Sequence, residues 1–168
     1  KIRFKPFLAF RQASQLTIEN DQVDKSYRNV ENGISTCMYS GYPELFMQFN
    51  KEPEFMYHPD WYRDIEYIQD LQSGDTYSED LYVPGSFEMT IRKNEEIIFS
   101  AGDILVDTSN LANEFNIEKN KRTPRSNFYN CLKNSSHQFY YIPNIGENYL
   151  LAGYPWFKVR ARDQFISL

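Results

Sequence analysis

Three short runs of β-forming residues between positions 34 and 58 constrain the fold more than any other feature of this chain. Residues 34–39, 44–49 and 54–58 are rich in aromatic and branched side chains, and the turn-forming segments S-G-Y-P and N-K-E-P separate them. Connections this short join antiparallel strands, because a parallel crossover needs a dozen or more residues. We therefore predict an antiparallel meander in this region.

A second pattern, strict alternation of apolar and polar residues, predicts a half-buried strand later in the chain. It occupies residues 86–92 (S-F-E-M-T-I-R), and we expect residues 96–101 to return as its hairpin partner. Residues 2–10 predict another strand, which Pro6 directs to a sheet edge or a bend. The polar residues 11–32 lack a clear period and predict a long connection with room for one helical turn.

Two stretches near the middle of the chain are harder to assign from their pattern. Residues 60–74 place three apolar side chains at helical spacing, yet they are also rich in aromatic and β-branched residues. We predict a strand that runs into a short helical turn ending at Gly74. Residues 77–85 contain a Pro-Gly pair and several polar residues, and we predict a loop.

The last third of the chain has a different composition and predicts helices. Ser109 and Ser126 are each placed to cap a helix, and residues 138–142 and 149–152 predict a final hairpin. Over the whole chain, thirteen Tyr and thirteen Phe residues favour strands over a helical bundle. The predicted fold class is therefore mainly β, an antiparallel β-sandwich with a short helical patch near the C-terminus.

Charge, hydropathy and cysteine usage exclude several classes of partner. The net charge is −5, and no group of Lys and Arg is interleaved with aromatic residues, so nucleic acid is not a predicted partner. No apolar run is long enough to span a membrane, so a membrane partner is not predicted either. Cys37 and Cys131 lie far apart in sequence, which favours free thiols and a cytoplasmic setting. Both ends of the chain look cut, so we expect a piece of a longer protein, and a signal peptide stays an open alternative.

Glu79 and Asp80 are adjacent carboxylates rimmed by tyrosines, and two carboxylates are what glycoside hydrolysis requires. Neighbours on an extended chain point to opposite sides, however, so these two groups cannot straddle one bond. We interpret them as backbone-capping or solvated acids, and we favour a structural role at an interface. His58 and His137 lack the spacing of a zinc site, and we predict no metal and no cofactor.

The last twenty residues carry the most specific candidate site and read Y-L-L-A-G-Y-P-W-F-K-V-R-A-R-D-Q-F-I-S-L. Arg162 and Asp163 open an apolar helical pattern, and Trp156 lies shortly before them in sequence. Such a set suits a sugar, because planar rings stack on its C–H faces while charged groups form hydrogen bonds with its hydroxyls. The alternative is an ordinary helix start, in which the aspartate complements the helix dipole and the arginine is solvated.

Three stretches resemble glycogen debranching enzymes of the amylo-α-1,6-glucosidase type. The tail resembles the signature A-G-Y-P-W-F-x-x-W-G-R-D that begins their catalytic domain, with Arg160-Ala161 in place of W-G. Residues 61–87 are similar to the region that carries an arginine-glycine before E-D-L-x-x-P-G, with Ser73 in place of that arginine. The opening K-P-F-L-A-F-R-Q-A-S-Q-L is similar to a strand and loop of the family's N-terminal domain.

The resemblance implies both a fold and a function. It implies a β-sandwich (a sugar-mutarotase-like supersandwich) over residues 1–152, and the beginning of an (α/α)6 catalytic barrel over residues 153–168. It implies that Arg162, Asp163 and Trp156 bind the terminal glucose. The two catalytic carboxylates of the parent enzyme would lie in the barrel, so we expect no catalytic residue in this chain. The implied partners are glycogen or another α-glucan and the barrel itself.

Other functions stay open beside the truncated enzyme. The chain could be a stand-alone carbohydrate-binding module for α-glucans, with exposed aromatic residues as its platform. It could also be a structural domain without a ligand. Affinity for glycogen or maltooligosaccharides separates the first of these alternatives from the others.

Overall fold

The computed structural model describes residues 1–12, 15–153 and 158–166. The chain divides into two compact units, Lys1–Phe115 (unit 1) and Asn116–Leu168 (unit 2). The domain boundary predicted between residues 152 and 153 is not tested by this division, and it stays a prediction.

The described residues of unit 1 form seven strands in two antiparallel sheets. The first sheet has the order β1-β6-β5 and the second has the order β2-β3-β4-β7. The strands are β1 (Ile2–Phe4), β2 (Arg28–Val30), β3 (Gly33–Thr36), β4 (Leu45–Phe49), β5 (Glu54–Glu66), β6 (Ser78–Met89) and β7 (Phe99–Gly102). Helix α1 (Ile68–Ser73) connects β5 to β6. The predicted fold class, mainly β with antiparallel sheets, is confirmed.

The core of unit 1 lies between its two sheets. The buried cluster takes Met47 and Phe49 from the second sheet and Tyr82, Phe87 and Met89 from the first. The rings of Phe49 and Phe87 meet edge to face, with their centroids 5.0 Å apart. Aromatic pairs of this kind stabilise a core beyond the apolar area that they bury. The many Phe and Tyr residues of the sequence thus join one sheet to the other.

The predicted meander is correct for β3 and β4, and wrong for the run that follows them. β5 pairs with β6 rather than with β4, because the connection after β4 carries the chain from one sheet to the other. Asn50 fixes that exit with its side-chain amide. Its Nδ2 donates to the carbonyl of Glu96 at 3.0 Å, and its Oδ1 accepts from the backbone N–H of Ile98 at 2.9 Å.

The predicted loop over residues 77–85 is wrong, because residues 78–85 belong to the long strand β6. A β-bulge in β5 accommodates the Pro-Gly pair, since two residues of β5 face one of β6 between the pairs Tyr57–Gly85 and Asp60–Val83. Glycine is required there, because a Cβ at Gly85 would lie 2.3 Å from the carbonyl oxygen of Met56. The turn residues that suggested a loop are therefore part of the strand pairing.

The predicted hairpin partner of residues 86–92 is also wrong. β7 pairs with β4 in the other sheet, with Phe99 opposite Phe49. The ring of Phe99 packs against Phe49 and Phe4, at centroid distances of 4.9 Å and 4.7 Å. The apolar contact with the second sheet therefore outweighs the local preference for a hairpin.

The strand running into a helical turn that ends at Gly74 is confirmed by β5 and α1, since Gly74 is the left-handed C-cap of α1. The residues 11–32 are mostly irregular, as predicted, although they include the short strand β2.

Unit 2 holds small elements, and none of its described residues is fully buried. Helix α2 (Leu111–Lys121) leads into the unit and is followed by α3 (Phe128–Ser136), a 3-10 turn (His137–Phe139), β8 (Tyr140–Tyr141), β9 (Tyr149–Leu150) and α4 (Ala161–Ile166). The predicted final hairpin is present as β8 and β9, but it is shorter than expected. The cap of α3 is Asn127, whose side chain accepts from the backbone N–H of Asn130 at 2.9 Å, and not the predicted Ser126.

No helix among the described residues has the length and apolar character that crossing a membrane requires.

Candidate functional site

A buried ion pair between Arg11 and Glu79 forms the most connected polar centre of unit 1. The guanidinium donates Nε to one carboxylate oxygen at 2.7 Å and Nη2 to the other at 2.8 Å. The side chain of Glu79 is 1% exposed and that of Arg11 is 19% exposed. This two-point geometry is the strongest form of a guanidinium–carboxylate contact, and it joins residues that are 68 positions apart.

Two further donors complete the shell of Glu79. The hydroxyl of Tyr67 donates to one oxygen, and the backbone N–H of Thr17 donates to the other at 3.2 Å. Burial alone would raise the pKa of Glu79, but the bonds from Arg11, Tyr67 and Thr17 outweigh it and hold that pKa below its ordinary value. The carboxylate is therefore charged and fully engaged at neutral pH, and it has no free oxygen for acid–base chemistry.

Asp80 serves a second and separate set of backbone groups. Its two oxygens accept from the N–H of Glu19 at 2.8 Å and from the N–H of Asp64 at 2.9 Å. These two backbone hydrogen bonds lower the pKa of Asp80. Asp64 has a left-handed backbone (φ 57°) at the second bulge of β5, so Asp80 stabilises a conformation that only a few residue types adopt readily.

The adjacent carboxylates therefore have different partners, but both bind the irregular segment that follows β1. Glu79 fastens the irregular segment after β1 through Arg11 and Thr17, and Asp80 fastens its continuation at Glu19. Between them, the backbone N–H of Asp80 donates to the carbonyl of Thr17 at 2.8 Å. Neither group is placed to share one reacting bond with the other. The interpretation of Asp80 as a backbone-capping acid agrees with these contacts, and Glu79 is a buried ion-pair partner rather than a solvated acid.

A cleft of about 390 Å³ lies beside this centre, and Arg11 is among its lining residues. Phe10, Tyr39 and Tyr42 supply three aromatic rings, with centroids 6.1 Å apart for Phe10 and Tyr42 and 6.3 Å apart for Tyr39 and Tyr42. Asn20 holds the Tyr39 hydroxyl with its Nδ2 at 3.0 Å. Aromatic faces next to amide and guanidinium groups have the chemical character of a sugar-binding surface.

The structure places Arg162 and Asp163 in the first turn of α4, as the sequence predicts. Arg162 Nε lies 3.8 Å from Asp163 Oδ1, and the side chain of Arg162 is 78% exposed while that of Asp163 is 16% exposed. Gln164 joins α4 to β9, because its amide accepts from the N–H of Leu150 at 2.9 Å and donates to the carbonyl of Leu150 at 2.5 Å. Trp156, the third predicted sugar-binding residue, lies outside the described residues.

Sequence reasoning missed Arg11 as the partner of Glu79. Both residues lie in stretches that resemble the debranching enzymes, but nothing in the sequence pairs them. The sequence did place a single arginine directly after the apolar run of residues 6–10. If folding buries that arginine, its charge needs a carboxylate partner.

Cys37 lies among backbone carbonyls, with its Sγ 3.1 Å from the oxygen of Tyr39, and both cysteines are free thiols. In the part of the chain that the structure describes, no three His, Cys, Asp or Glu side chains come together to hold a metal ion.

The fold and this centre define a class of protein, a two-sheet antiparallel β module whose long N-terminal connection is anchored by a buried arginine–glutamate pair. More specifically, the chain belongs to the family described as glycogen debranching enzyme N terminal, whose model matches residues 1–98. The matched residues include strands β1 to β6, the Arg11–Glu79 pair and the aromatic cleft. The resemblance to glycogen debranching enzymes is thereby confirmed for the N-terminal region. No curated protein and no solved structure shows significant similarity to the chain.

Proposed function

We propose that this chain is the non-catalytic β module of a protein that hydrolyses α-1,6-linked glucose at the branch points of glycogen or a related α-glucan. The observation that carries the proposal is the family match over residues 1–98. The two free cysteines also fit the proposed cytoplasmic setting, in which stored glucan is degraded.

The contacts of Glu79 and Asp80 favour a non-catalytic, structural role for this module. A glycosidase that inverts configuration needs an acid and a base about 6.5–9.5 Å apart, with a water molecule between them. Glu79 and Asp80 are instead occupied by an ion pair and by backbone N–H groups. The acid and the base of the proposed reaction therefore belong to the catalytic barrel, which the β module supports.

Arg162 and Asp163 are proposed to bind the terminal glucose, together with Trp156. Support comes from the exposure of the guanidinium and from the position of both residues at the start of a helix. An exposed guanidinium can donate to two neighbouring sugar hydroxyls, and a carboxylate can accept from a third. These residues lie beyond the matched residues 1–98, so this part rests on the resemblance of the tail.

The first experiment separates the supporting module from an enzyme. The purified 168-residue chain is incubated with a dextrin that carries single α-1,6-linked glucose residues, and glucose release is measured beside the full-length protein. We expect release by the full-length protein and none by the chain. Branch-specific release by the chain alone would refute the proposed division of labour.

The second experiment tests the glucose subsite in the full-length protein. We expect Arg162→Ala and Asp163→Ala each to lower kcat/KM for the branched dextrin, because both remove contacts with the bound sugar. Lys93→Ala is the matched control, since Lys93 is an exposed cation of unit 1. An equal effect of all three substitutions would argue against the subsite.

A carbohydrate-binding module is the second candidate function, and the aromatic cleft beside Arg11 is the observation that favours it. It predicts that maltooligosaccharides bind the 168-residue chain in calorimetry and that Tyr42→Ala abolishes this binding. Tyr42 is 40% exposed, so the substitution removes a ring from the surface rather than from the core. Absence of binding would rule out this candidate and leave the supporting role intact.

A further inference from the structure

Unit 2 contains a groove of about 1060 Å³ whose charged lining residues are all basic. The groove follows the segment E-K-N-K-R-T-P-R (residues 118–125) and the end of α3. Its cationic lining residues are Lys119, Lys121, Arg122 and Arg125. No Asp or Glu lines the groove, although the chain as a whole has a net charge of −5. The local charge of the groove is therefore positive, opposite in sign to the net charge of the chain.

Contacts within unit 2 hold the two walls of the groove together. The side-chain amide of Asn134 in α3 donates to the carbonyl of Thr123 in the basic segment. Asn127 caps α3 directly after that segment, and its carbonyl accepts from the N–H of Cys131 at 3.0 Å. The Asn134–Thr123 bond thus joins the basic segment to α3, and the Asn127 bonds fix the start of α3.

Most of the positive charge in the groove is not neutralised by ion pairs. Lys121 pairs with Glu118 at 2.6 Å, and this bond lowers the pKa of Glu118, with a smaller contribution from Arg122. Lys119, Arg122 and Arg125 have no carboxylate within ion-pair distance among the described residues. At least three cations therefore face solvent within one short segment, and their mutual repulsion is relieved when an anion binds.

The helix dipole accounts for only part of this cluster. Lys119 and Lys121 lie in the last turn of α2, where cations interact favourably with the carbonyl end of the helix. Arg122 and Arg125 lie beyond α2, and the dipole effect falls off within the last turn. The helix dipole therefore does not explain the positions of Arg122 and Arg125. Their guanidinium groups are well suited to bind tetrahedral oxyanions.

The lining favours a compact anion over a polymer of nucleotides. Among the described residues, no Phe, Tyr or Trp side chain lines the groove and His137 supplies its single ring, whereas single-stranded nucleic acids are bound by stacking on successive aromatic rings. A phosphate monoester carries close to two negative charges at neutral pH and three acceptor oxygens. The guanidinium and ammonium groups that line the groove, together with the hydroxyl of Thr123 and the amide of Asn120, supply donors of the kind that these oxygens accept from.

We propose that the basic groove of unit 2 binds a phosphate monoester, carried by a small sugar or by a phosphorylated α-glucan. The groove lies outside the residues of the family match and outside the predicted glucose subsite. Binding of the phosphate group therefore does not depend on the proposed function, whereas the choice of a sugar or α-glucan as its carrier rests on that function.

The binding test is calorimetry with the 168-residue chain at a fixed ionic strength of about 0.1 M, at which exposed charges are screened beyond roughly 10 Å. The probes are glucose 6-phosphate, inorganic phosphate, a phosphorylated dextrin and its unphosphorylated counterpart. We expect saturable binding of the phosphorylated probes and none of the neutral dextrin. Preference for glucose 6-phosphate or for the phosphorylated dextrin identifies the source of the phosphate. No saturable binding of any phosphorylated probe would overturn the proposal.

Charge-removing variants locate the binding. Arg122→Gln and Arg125→Gln are each expected to weaken binding on the order of fivefold, since two unit charges about 4 Å apart attract by about 1 kcal/mol in water. Lys133→Gln is the matched control, because Lys133 lies on α3 but does not line the groove. Equal weakening by the control would indicate a diffuse charge effect and overturn the proposal.

Amide chemical shifts of the unsubstituted chain, titrated with glucose 6-phosphate, provide a readout that does not depend on how the variants fold. Shifts confined to residues 119–125 and 134–138 are expected, and shifts elsewhere without these would overturn the proposal.

Discussion

At the scale of single residues, the Arg11–Glu79 pair differs in kind from the other ion pairs of unit 1. Arg63 and Glu19 have similar geometry, with distances of 2.5 Å and 2.9 Å, but their side chains are 52% and 41% exposed. Exposed pairs contribute little to stability, because water already solvates both groups. Removing one member of a buried pair is far more costly, since it leaves a charge without a partner in a poorly solvated place.

This contrast predicts the effect of two matched substitutions. Arg11→Met should lower the free energy of unfolding by about 3–5 kcal/mol, as for other broken buried pairs. Arg63→Met should lower it by less than about 1 kcal/mol. Urea denaturation at pH 7 measures both values. Equal effects would mean that Glu79 recovers solvation when its partner is removed, and the anchoring role of the pair would be lost.

The same centre predicts a pH dependence. The pKa of Glu79 is lower in the folded chain than its ordinary value of 4.5, so the folded state favours the charged form. Its contribution is therefore fully present above about pH 4.5 and is lost as the pH falls through the lower folded value. We expect unfolding free energies measured between pH 7 and pH 3 to fall less steeply in Glu79→Gln than in the unsubstituted chain. An identical slope in both would contradict this assignment.

The two carboxylates also show what could be predicted at this scale. Alternation along an extended chain was enough to predict that Glu79 and Asp80 cannot flank one bond, but not that their partners differ. It could not supply Arg11, because a contact across 68 positions depends on how the chain returns over the sheet. The apolar composition of the opening run carries no information about which acid lies beneath it.

At the scale of secondary-structure elements, close approach of backbones decides where glycine is needed. A Cβ at Gly33 in β3 would lie 1.9 Å from the carbonyl oxygen of Met47 in the neighbouring strand. At Gly102 in β7, a Cβ would meet no atom within 4 Å. The two glycines lie in the same sheet, at positions where the sequence alone would treat them alike.

Gly33→Ala should therefore destabilise unit 1 by about 1–3 kcal/mol, because strands β3 and β4 must separate to admit the methyl group. Gly102→Ala should change stability by no more than about 1 kcal/mol, and it is the matched control. Thermal unfolding followed by circular dichroism measures the difference. A loss at Gly102 as large as that at Gly33 would show that strand separation is not the cause.

Errors in predicting the elements share one physical origin. Residues 77–85 and 96–101 were assigned from local turn signals and local alternation. In the structure, both are positioned by the strand with which they pair, through the bulge opposite Gly85 between β5 and β6 and the Phe99–Phe49 contact between β7 and β4. Elements whose local pattern agrees with the packing, such as β3, β4 and the turn at Gly74, were predicted correctly.

At the scale of the whole molecule, the two units differ in how much they bury. Every described residue below 9% exposure lies in unit 1, and Phe128, Ile145 and Phe165 of unit 2 are 78%, 104% and 77% exposed. Burial of apolar surface is the main stabilising contribution to a fold. Unit 2 should therefore be the less stable part of the isolated chain.

Hydrogen exchange tests this expectation residue by residue. Amides of β4 and β6, such as those of Met47 and Phe87, should exchange only through global unfolding, whereas amides of α3 should exchange through local opening at much lower cost. If unit 2 contacts the proposed catalytic barrel in a longer protein, exchange in unit 2 should be slower there, and exchange in β4 and β6 should be unchanged. Equal protection of α3 and β6 in the isolated chain would mean that unit 2 has its own stable packing. The exposed apolar side chains would then not indicate a weakly packed unit.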